Sequence, residues 1–498
     1  MSTLKWYLEQ RKGNDEDFEK NMKKHACPVL YYAVERNSAE AVGILLEHGA
    51  DPEDYHLCFP IPLLAFAIIQ GRRAIVNTTG VVKQLLAYNA SPKVIPQDMW
   101  IRYLDAPKGK GPIYRSGPTS WCDENARAEL APALHLTHRY SLYRASMLKK
   151  PKAREIQVAA ANKMLNMLKI PYFLIGQLPP AELVMTRLFS HIADRNENPL
   201  VMAFAGASGH GKTELAIQMG NLLSVKHIVI DCAQLRDRMD LLGASHGYFR
   251  NDEGSELNNF IAENNGKRAV VFLDEFDKTE QVVRDSLLEA TDKGVYNDRR
   301  TNRNIDCSKF IWILATNYGD VIIQKFYENE VCRLSDKERE AINLERLQDK
   351  LKDAFMQKFG APFTGRTRLI VPFLPFSHSE TAVVLHKFIL EKEDHVRQPI
   401  DLRDDVKRYI GHVHLDLLED GKFCAKMANK HYNEELGARS LLEALDTIQD
   451  KLVKEYHDTD ELVSEETNKG PLQRYIVRLV PDTNGGYDVG VYKDQEAD

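Results

Sequence analysis

Gly206-Ala207-Ser208-Gly209-His210-Gly211-Lys212-Thr213 is a glycine-rich loop closed by a lysine and a hydroxyl residue, the spacing of a nucleoside-triphosphate cradle. Ahead of it, Leu200 to Ala205 is wholly apolar and predicts a buried parallel strand. Behind it, residues 214–223 show helical apolar spacing. Strand, loop and helix thus stand in the order that phosphate binding requires. Glycines let backbone N–H groups close round phosphates, and the helix N-terminus adds partial positive charge. In this reading Lys212 reaches the β- and γ-phosphates and the Thr213 hydroxyl ligates Mg²⁺. A lone glycine loop also fits an ordinary strand-to-helix turn, so partners elsewhere in the chain must decide.

Two partners are visible. Ala269 to Leu273 is a short apolar run ending in Asp274-Glu275, and carboxylates after a buried strand fall where open α/β sheets bind ligands. Asp274 is expected to hold the metal and Glu275 to activate the attacking water. Residues 310–315 form a second apolar run, ending at Thr316-Asn317. The Asn317 amide can donate to a γ-phosphate and accept from the lytic water.

In their order these segments resemble the AAA+ ATPases, and within them the Clp branch. Leu174-Ile175-Gly176-Gln177 resembles that branch's adenine-pocket segment, and Gly211-Lys212-Thr213-Glu214-Leu215-Ala216 its phosphate loop. Asp274-Glu275-Phe276-Asp277-Lys278 is similar to its acidic block, and Ala315-Thr316-Asn317-Tyr318-Gly319 to its sensor. Gly437-Ala438-Arg439 resembles its second sensor. The resemblance implies an ATPase using ATP and Mg²⁺, with Arg439 on the γ-phosphate of its own subunit. It also implies an arginine finger offered to a neighbour's ATP, for which Arg366 fits best and Arg368 is the fallback. A finger in trans implies a ring, a hexamer in this branch. Gly247-Tyr248-Phe249-Arg250 is similar to the loop that projects an aromatic into the channel of Clp unfoldases. Tyr248 is the expected substrate contact, with Phe249 assisting. Arg250 departs from the family glycine. Residues 297–300 read either as a second channel loop or as a plain hairpin turn.

The first third of the chain resembles ankyrin repeats. Residues 28–51 and 62–91 make two similar units whose leading prolines, Pro28 and Pro62, lie about one ~33-residue period apart. The expected organisation is therefore an all-α ankyrin-like domain over 1–104, then a linker and helical segment over 105–169. An α/β P-loop AAA+ large domain over 170–375 follows, a parallel sheet flanked by helices. A small, mostly helical lid with a β-hairpin completes the chain over 376–498. Residues 105–119 read as the linker itself, and charged residues 327–358 as a solvent-facing helical insertion. Helical patterns are expected from 376 to about Tyr456, and a hairpin from 475–480 with 487–492.

Composition sets outer bounds. The chain has 498 residues, 43% hydrophobic and 28% charged, with formal net charge −6. That charge gives no general drive toward nucleic acid, and no apolar run approaches the ~20 residues of a membrane span. Seven cysteines without a Cys-x-x-Cys pair predict reduced thiols. A cytoplasmic or nuclear location is expected, and a mitochondrial one only if a targeting segment has been removed. The expected function is an ATP-driven unfoldase or disaggregase acting on unfolded or aggregated protein, similar to ankyrin-containing ClpB-type disaggregases. Its ankyrin-like domain would recruit clients or partners. The alternative is an ankyrin-scaffolded, ATP-dependent regulatory switch without threading.

Overall fold

Two helix pairs begin the described chain: α1 (Val29–Glu35) with α2 (Ala39–Glu47), and α3 (Leu63–Arg73) with α4 (Thr79–Ala87). The computed structural model describes residues 29–53, 61–193, 198–244, 253–458, 462–482 and 486–494. Ser38 starts α2 by accepting from the Ala41 N–H, an N-cap that satisfies one of the free donors there. Neither pair can cover its apolar face alone, so the pairs stack, burying Val42, Leu45, Ile68, Val82 and Leu85.

Residues 105–119 are not a free linker. They run as turns gathered round Arg127 of α5 (Glu124–Ala133), whose guanidinium donates to the carbonyls of Lys108 (3.2 Å) and Pro112 (3.5 Å) and pairs with Asp98. Arg127 is buried, and a buried cation holds its place only when paired and hydrogen-bonded. Helix α6 (Leu136–Met147) follows.

The chain forms two compact units, one of Met1–Lys150, His378–Asn433 and Ala438–Asp498, the other of Pro151–Ser377 and Glu434–Gly437. The second unit holds α7 (Leu178–Ala193), β1 (Leu200–Ala205), α8 (Lys212–Leu222), β2 (Lys226–Asp231) and β3 (Ala269–Asp274). It continues with β4 (Val295–Asn297), β5 (Asn304–Asp306), β6 (Ile311–Thr316), α9 (Glu345–Thr364) and β7 (Leu369–Pro372). Five strands make a parallel sheet in the order β2-β3-β6-β1-β7. Side chains alternate across it: Val201, Ala203 and Ala205 join one core, while Met202 and Phe204 join the core on the other face. Burial on both faces is why these strands read as unbroken apolar runs.

Strands β4 and β5 pair as a hairpin, so residues 297–300 lie at a turn. Asp298 there is buried and accepts from Asn258 Nδ2 (2.8 Å) and Thr301 Oγ1 (2.6 Å). The expected solvent-facing insertion is corrected by α9. Leu347, Leu351, Phe355, Phe359 and Phe363 are all buried in the sheet's core cluster. Leu347, Leu351, Phe355 and Phe359 recur every fourth residue on one helix face, a stripe that the surrounding charges obscure in the sequence, and Phe363 follows beyond a break at Gly360, φ 79°.

The first unit resumes with α10 (His378–Val396), β8 (Val413–Leu417), α11 (Asp420–His431), α12 (Leu442–Tyr456), β9 (Gln473–Pro481) and β10 (Tyr487–Lys493). The antiparallel β9–β10 hairpin is present as expected. Strand β8 corrects the all-helical reading of 376–456, because it adds parallel to β9 in the sheet order β10-β9-β8. Within this unit the N-terminal helices and α10–α11 share one interior. Arg139 of α6 pairs with Asp420 at 2.8 Å, both nearly sealed from solvent. Thr137 Oγ1 lies 2.7 Å from His386 Nδ1, and the Leu136 N–H donates to Asp420 at 2.5 Å. Gly421 fits because a Cβ there would lie 2.0 Å from the Leu104 carbonyl oxygen. Among the described residues no helix is long and apolar enough to cross a membrane.

Candidate nucleotide site

Strands β3, β6 and β1 are neighbours, so their C-terminal ends bring together three segments that lie far apart in the sequence. The loop after β1 turns on glycines. Gly206 has φ 150°, and a Cβ there would lie 2.8 Å from the Phe373 carbonyl oxygen. Gly211, φ 93°, enters α8 from the left-handed region, which other residues adopt only at a cost. Lys212 opens the helix and is almost fully buried. Its ammonium donates to the carbonyls of Gly206 (2.6 Å) and Ala207 (2.7 Å) and to Asn317 Oδ1 (3.0 Å). Phosphate oxygens arriving in the loop would take over these contacts, exchanging neutral acceptors for charged ones.

Thr213 Oγ1 donates to Asp274 Oδ2 at 3.2 Å. A hydroxyl and a carboxylate side by side at the mouth of a phosphate loop are the hard-oxygen donors that Mg²⁺ takes, with nucleotide phosphates completing its shell. The residues present therefore fit the ion. Glu275, the next residue, takes φ 50° and ψ 39° and forms an ion pair with Lys278. That pair pulls on the Lys278 ammonium, raising its pKa through the hydrogen bond and charge of Glu275. Asp277 lies between them and accepts from the Thr316 hydroxyl (2.7 Å) and the Asn317 N–H (3.2 Å). The sequence reading gave Asp277 no role. In the sequence it stands only as one member of the acidic block Asp274 to Lys278.

Around the loop, Leu174 lies against Gly211, where a Cβ would meet its Cδ2 at 3.3 Å. Ile175 is buried beside it in the chain, and Gln177 is fixed by hydrogen bonds to the Leu374 carbonyl (2.7 Å) and N–H (3.2 Å). The His210 imidazole stacks on Phe376 with centroids 5.2 Å apart, and its Nδ1 lies 2.8 Å from the Ser208 carbonyl. Burial lowers its pKa, disfavouring the charged form of the ring. Ser208 and Gly209 pack under Gly437, whose added Cβ would lie 2.7 Å from the Gly209 carbonyl. Glu214 is exposed on α8.

Arg366 is half-buried and pairs with Asp292 at 3.0 Å, while Arg368 is exposed. Asp292 was not foreseen, because nothing in a lone acidic residue near a helix end marks it as an arginine's partner. Arg439 lies in the turn Ala438–Leu441 of the other unit. Tyr248 and Phe249 lie outside the described residues.

A five-stranded parallel sheet with a phosphate loop, an acidic pair and a polar asparagine at adjacent strand ends has the form of a P-loop nucleotide-binding module. Residues 198–370 match the family described as AAA domain (Cdc48 subfamily). The chain is 30% identical over 269 residues to the mitochondrial disaggregase of Rattus norvegicus, covering 49% of this chain and 37% of that relative. It is 26% identical over 251 residues to the chaperone protein ClpB of a Staphylococcus epidermidis strain, covering 48% and 27%. The chain thus spans well under half the length of these relatives. A solved S. cerevisiae Hsp104:casein complex in its extended conformation shares the fold at TM-score 0.50 and 19% identity, covering 89% of this chain and 69% of that one.

Proposed function

We propose that this chain hydrolyses ATP and uses the energy to unfold or disaggregate proteins in an assembled ring. The observation that carries the ATPase reading is the meeting of Lys212, the Thr213–Asp274 pair, Glu275 and Asn317 at three adjacent strand ends. In this site the loop N–H groups and Lys212 bind the phosphates. Mg²⁺, held by Thr213 and Asp274, would offset charge on the phosphate oxygens. Glu275 releases Lys278 and orients the attacking water, and the Asn317 amide holds that water in line. Arg366 leaves Asp292 to reach the nucleotide of an adjacent copy, and Arg439 contacts the γ-phosphate within its own chain.

Disaggregation is supported by two relatives, a disaggregase and a chaperone, and by a structural neighbour complexed with casein. Tyr248, with Phe249, is the proposed grip on a threaded polypeptide, offering a broad apolar face tolerant of sequence. The stacked pairs α1–α2 and α3–α4 support an ankyrin-like platform for clients or partners. ATP-dependent reactivation of an aggregated reporter enzyme, beside an ATPase assay with unfolded protein added, tests the proposal. Turnover with reactivation is expected, and Tyr248→Ala should keep the first and lose the second. Turnover without reactivation would favour the regulatory switch, and neither would remove the motor reading.

A further inference from the structure

The left-handed step at Glu275 reverses the chain just beyond β3, and the turn Phe276–Lys278 follows. The reversal sends successive side chains to different neighbours. Phe276 is buried and stacks on Phe363 with centroids 4.9 Å apart, three residues before Arg366. Asp277 returns instead to the end of β6. Its Oδ1 accepts from both the Thr316 hydroxyl (2.7 Å) and the Asn317 N–H (3.2 Å). Thr316 is buried, and its oxygen also accepts from the Tyr318 N–H at 2.9 Å. The Asn317 side chain then receives the Lys212 ammonium at 3.0 Å. Direct hydrogen bonds therefore run without a break from the turn that carries Glu275, through the sensor, to the phosphate-binding lysine.

We propose that Asp277 is a positioning residue for ATP hydrolysis, fixing the Asn317 backbone relative to Glu275 so that amide and carboxylate address the same water. The inference rests on the ATPase reading of the site. Asp277 acts through Asn317, and both hydrogen bonds it accepts end on the sensor segment. The geometry explains why such a brace is needed. Base and sensor follow different strands, β3 and β6, so no single element holds one against the other. A displacement of about 1 Å at a reacting group is enough to cost ~10²-fold in rate.

The test uses the full chain with ATP. Asp277→Ala removes the acceptor, while Asp277→Asn keeps a carbonyl oxygen in the same place. The alanine variant should lose about 10²-fold in kcat with KM for ATP and the affinity for a fluorescent ATP analogue changed less than about threefold. The asparagine variant should retain most of kcat. Thr316→Val, which deletes one of the two donors and preserves volume, should lower kcat about tenfold. Unchanged kcat in Asp277→Ala would overturn the proposal. So would an asparagine variant as inactive as the alanine one, or a loss of kcat matched by lost nucleotide affinity and a lowered Tm. A wild-type chain that binds nucleotide but never turns it over would overturn the ATPase reading itself, and this inference with it.

Discussion

In the proposed mechanism Lys212 serves binding and Glu275 serves chemistry, so their variants should fail in different ways. Lys212 is buried and spends its three donors on oxygens, so its charge is concentrated where phosphate must enter. Lys212→Ala should weaken ATP binding by tenfold or more, on the order of the strength of one charge-assisted contact, as measured by calorimetric titration. Glu275→Gln keeps the shape and removes the base. It should bind ATP as the parent does while steady-state turnover falls by ~10²-fold or more. Normal hydrolysis by that variant would show that another group activates the water. The glycine loop was readable in the sequence because its chemistry is local, requiring particular backbone angles at particular spacings. The Arg366–Asp292 pair was not, since two residues 74 apart met only on folding.

Helices α6, α10 and α11 show how much of the first unit depends on a few polar contacts in its interior. Gly421→Ala would drive a Cβ into the Leu104 backbone. It should destabilise the unit by about 1–3 kcal/mol, read as a lowered urea midpoint. Arg139→Met strands the Asp420 carboxylate. Burial already opposes that charge, and Arg139, His386 and nearby hydrogen bonds hold its pKa below the usual carboxylate range. Losing the partner should cost about 3–5 kcal/mol, much of it recovered in the double variant with Asp420→Leu.

The same interior predicts a pH dependence. His135 and His138 stack 3.5 Å apart, and His135 lies 5.2 Å from His386. Burial first, then His138, His386 and Arg139 nearby, lowers the pKa of His135, while burial takes His138 to about 3 and His386 to about 4. The charged groups facing them are Arg139, Asp420 and Glu393. The folded unit keeps these rings neutral, whereas the unfolded chain binds their protons below about pH 6.5. Stability is therefore full above that pH and declines as pH falls toward 4, by at most about 1.4 kcal/mol per pH unit for each ring. Unfolding curves between pH 7.5 and 5 should show the decline, and His386→Gln should flatten it. A midpoint that does not move with pH would contradict the neutral-cluster account.

For the molecule as a whole, the proposed finger in trans makes hydrolysis a property of the assembly. Arg366→Ala and Glu275→Gln should each abolish turnover alone. Mixed in equal amounts, subunits with an intact Glu275 will meet neighbours with an intact Arg366 at about one interface in four, and activity should return in proportion. Mixtures as silent as either variant would place the finger in the same chain or on another residue.

The sequence alone carries the segments of the proposed nucleotide site: a glycine loop, an acidic pair and an asparagine, each announced by a buried strand just before it. Those signals survive in one dimension because strand burial and backbone angle are set within a few residues. Tertiary structure alone decided that α9 belongs to the core, where a period-four stripe outweighs its charged surroundings. It also added β8 to a sheet, through pairing with a strand some sixty residues away. It joined the N-terminal helices to α10 and α11, since Arg139 and Asp420 stand 281 residues apart. No local pattern encodes such a meeting, because a buried charge declares its partner only when the chain has closed around both.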